Sequence, residues 1–293
     1  MDNILNALAA GQVIVCDGAM GTQLQARGLT AGAMPELWNA EHPEVLTAIH
    51  NDYLQAGARI VTSNTFGGNR ARLAGAGLAD RLAELNRKGV ELARAAAGKR
   101  AWVAGDVGPT GQLIEPYGEL TVVDAEAIYR EQVAVLAEAG ADFILVETMN
   151  DIEEALCAVR MARAHTALPV FCTFAFNAKG RTMMGLRPGD AAQRAAEAGA
   201  DAVGANCGEG PDAVLAALTG MREAVNLPLI AQSNAGIPQV GAEEATVWDT
   251  TPEQMADHAR AFVEAGARVV GGCCGTGPAH IAAIAAALAS ERG

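Results

Sequence analysis

Eight short apolar runs recur along the chain, and each ends in small or polar residues. They are VIVCDG (13–18), RIVTSNTFG (59–67), AWVAGDVGP (101–109), DFILVETM (142–149), PVFCTFAFN (169–177), DAVGANCG (201–208), PLIAQSNAG (228–236) and RVVGGCCG (268–275). Such runs, closed by glycine, proline or asparagine, predict strands. Longer segments of helical spacing separate them, among them HPEVLTAIHNDYLQAGA and DAEAIYREQVAVLAEAGA, and PAHIAAIAAALASER follows the last run. Strands this apolar, alternating with helices, predict a parallel sheet covered on both faces. Eight strand–helix units predict an α/β fold closed as a (β/α)8 TIM barrel, which takes roughly 250 residues. No linker or low-complexity segment divides the chain, so residues 1–293 read as a single domain. A doubly wound open sheet is the alternative, but its glycine fingerprint is missing: the first turn reads DGAMGT rather than G-x-G-x-x-G.

A repeat supports the eightfold reading. Ala-Gly-Ala-Arg/Asp occurs at Ala56–Arg59, Ala139–Asp142, Ala198–Asp201 and Ala265–Arg268, each time between a helix and an even-numbered strand. Gly57, Gly140, Gly199 and Gly266 then fall just past a helix end, where a left-handed residue is wanted.

Composition narrows the function. A net charge of −13 disfavours nucleic acid and anionic membrane as partners, since both need basic surface. The N-terminal MDNILNALAAGQ has no basic residue before its apolar stretch, so no signal peptide is expected. No apolar run reaches the ~20 residues of a membrane span. A cytoplasmic protein is the expectation, and six cysteines in such a chain are core filler, reactive thiols or metal ligands rather than a disulfide framework.

The chemistry gathers where strands end, because barrel sites sit at the C-terminal face. The predicted ends carry Asp17, Asn64 and Thr65, Asp106, Glu147 and Thr148, Asn177, Cys207, Asn234, and the pair Cys273–Cys274. Adjacent Cα atoms lie ~3.8 Å apart, too close for an ordinary disulfide at roughly 4.4–6.8 Å. Two thiols turned to one point by Gly271, Gly272 and Gly275 point instead to a metal, with Cys207 from the sixth strand as third ligand. Zinc suits three thiolates with one open position, and a fourth, substrate thiolate would complete the set as a nucleophile for S-alkylation. Asp17 and Glu147 could bind an α-ammonium, and the backbone N–H groups of GAMGT, including those of Gly21 and Thr22, an α-carboxylate. Thr65 joins them as a candidate substrate contact. Asp106 reads either as a turn former or as part of this site. Cys16, Cys157 and Cys172 read as core residues, and the five histidines fall in or beside predicted helices, away from the strand ends.

The segments DGAMGTQLQ, SNTFGGNR, GDVGPT, ETMNDIEEA, GANCGEGP, SNAGIP and GGCCGT together resemble the homocysteine S-methyltransferases, nearest the homocysteine-binding domain of cobalamin-dependent methionine synthase. The resemblance runs from about Val13 to Ile284. It implies a (β/α)8 barrel, zinc on Cys207, Cys273 and Cys274, and L-homocysteine bound by Asp17 with its loop and by Glu147. It also places Asn234 beside the metal. Zinc-bound homocysteine thiolate would attack a donor methyl group to give methionine. Members using S-methylmethionine typically read DGAMAT and GGCCRT, whereas this chain has Gly21 and Gly275, as the cobalamin-linked domain does. Ser233, where that domain usually has proline, and TFAFNAKGRTMMG depart from the pattern on the donor side. No folate or cobalamin segment follows before Gly293, so the expected donor is a methylcorrinoid supplied by a separate partner protein. The alternatives are S-methylmethionine or betaine as donor, and a zinc thiol-binding module without turnover.

Overall fold

The apolar runs do become strands. In the computed structural model, which describes residues 3–30, 32–240 and 246–290, the strands are β1 (Ile14–Val15), β2 (Ile60–Thr62), β3 (Trp102–Val107), β4 (Phe143–Met149), β5 (Val170–Phe174), β6 (Ala202–Cys207), β7 (Leu229–Ser233), β8 (Gln239–Val240), β9 (Thr246–Val247) and β10 (Ala267–Gly272). β8 and β9 pair antiparallel with each other, outside the barrel. The other eight form one parallel sheet in the order β1-β10-β7-β6-β5-β4-β3-β2. Its two edges meet through a parallel bridge between Cys16 and Ile60, with Asp17 N–H donating to the Ile60 carbonyl at 3.1 Å. The result is a (β/α)8 barrel.

Strand alternation divides the core in two. Ile14, Ala104, Phe143, Leu145, Phe171, Ile230 and Val269 point inward and pack in one cluster with Ile4, Ala7 and Leu8. Those last three come from the helix Ile4–Ala9, capped by Asn3, whose side chain accepts from Leu5 N–H at 2.9 Å. This helix closes the N-terminal end of the barrel. The intervening residues, such as Val15, Val103, Ile144, Val146, Val203 and Val270, point outward and join the larger cluster under the surrounding helices.

The helices are bounded by local chemistry. Proline begins the helices Pro43–Gln55, Pro188–Glu197, Pro211–Ala224, Pro252–Glu264 and Pro278–Ser290, where its missing N–H costs no hydrogen bond. The Ala-Gly-Ala repeat ends helices as expected: Gly57, Gly140, Gly199 and Gly266 have φ of 104°, 96°, 106° and 102°. At Gly57 the paired bonds Gly57 N–H to Leu54 O (3.2 Å) and Ala58 N–H to Tyr53 O (3.0 Å) form the Schellman closure. The fourth residue of the repeat then sets strand register. Asp142 accepts from Val103 N–H at 2.7 Å and Asp201 from Val170 N–H at 2.9 Å, each on the neighbouring strand.

His50 is buried with no partner at either ring nitrogen among the described residues, and burial pushes its pKa down to about 4. His280 joins Gly277 N–H to the Thr250 carbonyl beside its own helix start. Neither lines the cavity at the barrel mouth. Among the described residues no helix is long and apolar enough to cross a membrane.

Candidate functional site

The C-terminal ends of the strands surround a cavity of about 410 Å³. Cys207, Cys273 and Cys274 line it, and their sulfur atoms all lie within 4.8 Å of one another. Cys207 comes from β6 and the pair from the end of β10, with β7 between them: Ser233 is in register with Cys207 on one side and with Gly272 on the other. Two strand spacings amount to roughly 9.6 Å, so the thiols must lean over the end of β7 to meet. Cys207 does so in the left-handed conformation, with φ of 56°, which a non-glycine residue adopts at a cost. The vicinal pair is turned by its own loop. Thr276 N–H donates back to Cys273 O at 3.1 Å, with Gly275 at φ 80° in the third position of that turn. A Cβ on Gly275 would also meet the Trp248 ring at 2.2 Å, so this position accepts glycine alone without rearrangement. Cys273 N–H donates to Ser233 O and Ala235 N–H to Cys274 O, at 2.8 and 2.9 Å.

The donor set fits a tetrahedral thiophilic metal. With metal–sulfur bonds of about 2.3 Å, tetrahedral angles set sulfurs about 3.8 Å apart, and Cys207 Sγ stands 3.8 Å from Cys274 Sγ. Hydrogen bonds from the other two thiols pull Cys207 down to about 3, while Cys274 is pushed up to about 12, chiefly by its bond to Cys207, and Cys273 is raised. A cation bound among the three sulfurs would displace the thiol protons. Asn234 stands beside the set: its Nδ2 donates to Gly208 O at 2.9 Å, and its buried Oδ1 has no partner among the described residues.

Asn206 organises the neighbouring wall. It points inward from β6 and accepts at Oδ1 from Thr148 N–H (3.0 Å) and Thr173 Oγ1 (2.9 Å). Its Nδ2 donates to Thr148 Oγ1 (2.7 Å), to Glu147 Oε2 (3.5 Å) and toward Cys273 Sγ (4.0 Å). Thr148 has φ of 60°, so one amide fixes a strained residue, an acid and a thiol together.

Four carboxylates line the cavity, Asp17, Glu36, Asp106 and Glu147, against one guanidinium, Arg72. Burial first, then Cys207 and Asp17, push Glu147 up to about 8. Burial likewise raises Asp17 to about 6, against hydrogen bonds from Thr62 that lower it. Both of its oxygens are engaged: Oδ2 accepts from Thr62 N–H at 2.7 Å, and Oδ1 accepts from Thr62 Oγ1 at 2.9 Å. Asp17 therefore clamps the β1–β2 seam as well as lining the cavity. Gly21 and Thr22 also line it, in the first turn of the helix Met20–Gln25, which no side chain caps. The Thr22 hydroxyl accepts from Gly275 N–H at 3.1 Å and so steadies the thiol turn.

Thr65 does not reach the cavity. The chain leaves β2 after Thr62 and turns, and the Thr65 hydroxyl is buried against Ser63 Oγ (2.7 Å) and Asp106 O (2.8 Å). Ser63 and Asn64 line the wall in its place. Asn177 is likewise turned into its own loop, accepting from Lys179 and Arg181 N–H. Glu36 and Gln232 line the cavity although neither stands out in the sequence. Alternation along β6 and β7 points to Asn206 and Gln232, whereas nothing local singles out Glu36.

The fold and the site define a (β/α)8-barrel protein with a tri-cysteine candidate metal centre at the strand C-termini. Residues 14–288 match the model of the homocysteine S-methyltransferase family. The chain is 35% identical over 307 residues to methionine synthase of Mycobacterium tuberculosis, covering 99% of this chain and 26% of that protein. It is 32% identical over 317 residues to betaine–homocysteine S-methyltransferase 1 of Xenopus laevis, covering 99% and 76%. The metallated form of the homocysteine methyltransferase MmuM from Escherichia coli superposes with a TM-score of 0.81 at 30% identity, covering 97% of this chain and 99% of that one. This chain belongs to the homocysteine S-methyltransferase family, and it spans about a quarter of the length of the methionine synthases it matches.

Proposed function

We propose that the protein transfers a methyl group to the sulfur of L-homocysteine, giving methionine, with zinc as resident metal on Cys207, Cys273 and Cys274. The observation that carries this reading is the meeting of three thiols and Glu147 in one cavity of a chain belonging to this family. Zinc on three thiolates supplies one thing: it keeps a substrate thiol deprotonated at neutral pH, as metals do for coordinated thiols. The chain's own residues supply the rest. Glu147, held by Asn206, accepts the substrate ammonium, which offsets the burial that now raises its pKa. The N–H groups of Gly21 and Thr22 receive the carboxylate. Held at both ends, the sulfur is aimed at the donor carbon, and positioning of this kind supplies much of the rate. The sulfur–carbon bond forms as the bond to the donor's leaving atom breaks, and the electron pair departs with that atom.

For the donor, a methylcorrinoid on a separate protein is supported by Gly21 and Gly275. A small cationic donor has its own support in the four carboxylates that line the cavity against one guanidinium. The test is methionine formation from homocysteine by zinc-loaded protein, with methylcobalamin, S-methylmethionine and betaine supplied singly. Methionine from at least one donor, lost on chelation and regained with zinc, is expected. No methionine from any of them, with homocysteine still bound, would leave only a thiol-binding module.

A further inference from the structure

At the end of the barrel opposite the thiols, a surface cavity of about 560 Å³ opens where β6, β7 and β10 begin, against Leu5 and Leu8 of the helix Ile4–Ala9. Its charged walls are Arg222, Arg268 and Asp201. Elsewhere in the barrel, an arginine in the last turn of a helix twice meets the aspartate that closes the next Ala-Gly-Ala repeat. Arg94 of the helix Leu82–Ala97 pairs with Asp142, and Arg163 of the helix Ile152–His165 pairs with Asp201 at 3.0 Å. Arg222, in the last turn of the helix Pro211–Ala224, is placed in the same way. A Cβ on Gly266 would meet its Cδ at 3.0 Å, as one on Gly199 would meet Arg163 Cγ at 3.0 Å. The residue that closes this last repeat is Arg268. A second guanidinium therefore stands where the pattern supplies a carboxylate.

Both guanidiniums are held in place. Arg222 donates from its two terminal nitrogens to the carbonyls of Leu227 (3.1 Å) and Val225. Arg268 donates from Nη1 to Ala267 O at 3.0 Å. It is also the extra residue of a bulge, since Ala267 pairs with Leu229 and Val269 with the very next residue, Ile230. Bulges re-aim side chains beside sites, and this one sets a half-buried Arg268 between two buried neighbours, on the cavity wall. Among the described residues neither Arg222 nor Arg268 forms an ion pair, and Asp201 is already taken by Arg163. Two like charges thus share one cavity uncompensated, in a chain whose net charge is −13. The planar guanidinium fork matches carboxylate and phosphate oxygens, and Leu5, Leu8 and Pro228 offer apolar surface beside it. We propose that Arg222 and Arg268 form a binding site for a small organic oxyanion, a carboxylate or phosphate carrying an apolar group, which takes the place of the missing aspartate. The site stands apart from the thiol centre and does not rest on the transfer reading above.

The test is calorimetric titration of phenyl phosphate, and separately of benzoate, into the zinc-loaded protein at low salt. Inorganic phosphate serves as the bare anion and benzylamine as a cation of similar shape. At least one aromatic anion is expected to bind once per chain in the millimolar range or tighter, inorganic phosphate more weakly, and benzylamine not at all. A preference for phenyl phosphate supports the site with a phosphate ligand, and a preference for benzoate supports it with a carboxylate. Arg268→Gln is expected to weaken binding about tenfold or more, the usual scale for a hydrogen bond to a charged group. Arg268→Asp, which restores the acid of the other repeats, should abolish binding and leave the melting temperature unchanged or higher. Homocysteine should not compete. No binding of either aromatic anion, binding that both Arg268 variants leave intact, or displacement of the anion by homocysteine would overturn the proposal. So would benzylamine binding as tightly as the anions, which marks an apolar groove alone. Binding lost together with a lowered melting temperature in both variants would mark a structural role and overturn it as well.

Discussion

Cys273→Ser is expected to lower the zinc content from about one per chain to a small fraction and to reduce methionine formation by roughly 100-fold or more. Loss of groups that merely support a ligand already costs about 10–100-fold in metal affinity or activity, and loss of a ligand itself costs more. An alcohol is a far weaker zinc donor than a thiolate, and the two remaining sulfurs cannot close a tetrahedron. The barrel should survive. Cys273 belongs to none of the apolar clusters, and the bonds that fix its backbone, Cys273 N–H to Ser233 O and Thr276 N–H to Cys273 O, do not involve the sulfur. Metal analysis, activity and far-ultraviolet circular dichroism on one preparation separate the outcomes. Retained zinc would remove Cys273 from the ligand set, and wholesale unfolding would make the site structural.

Asn206→Ala should affect stability and substrate binding together. The substitution strands the Thr148 N–H and both threonine hydroxyls that Asn206 now satisfies. Each buried group left unpaired costs about 1–3 kcal/mol, and Thr148, at φ 60°, loses the amide that holds its strained backbone. A loss of about 3 kcal/mol is expected, roughly 5 °C in Tm for a chain of this size. Glu147 loses its contact at 3.5 Å as well, so the homocysteine KM should rise while zinc stays bound on the three thiols. A melting temperature and KM equal to the wild type would show that this network holds nothing.

Much of the architecture is legible in the residues. The eight apolar runs mark the barrel strands because burial on both faces leaves their composition no polar alternation to hide behind. The four Ala-Gly-Ala repeats mark helix ends because glycine alone takes φ near 100° there at little cost. The cysteines are legible through their chemistry, since a vicinal pair between glycines has few structural uses. Other parts depend on where the chain turns. Thr65 stays out of the cavity because β2 stops at Thr62, three residues before it, and its hydroxyl is buried against Asp106 O instead. Asp106, open in the sequence between turn and site, proves to lie inside β3, facing the cavity. Glu36 sits in the short 3-10 helix Pro35–Leu37, and only tertiary packing carries it to the cavity wall. The short strands β8 and β9, two residues each, carry no periodicity from which to read them.

The whole scheme requires one ion to take three sulfurs from this chain and a fourth from homocysteine. X-ray absorption at the zinc edge, on purified protein before and after homocysteine is added, measures that directly. Three sulfur neighbours at about 2.3 Å, rising to four with homocysteine, is the predicted result. A sulfur count that stays unchanged on saturation with homocysteine, or that starts below three, would contradict it.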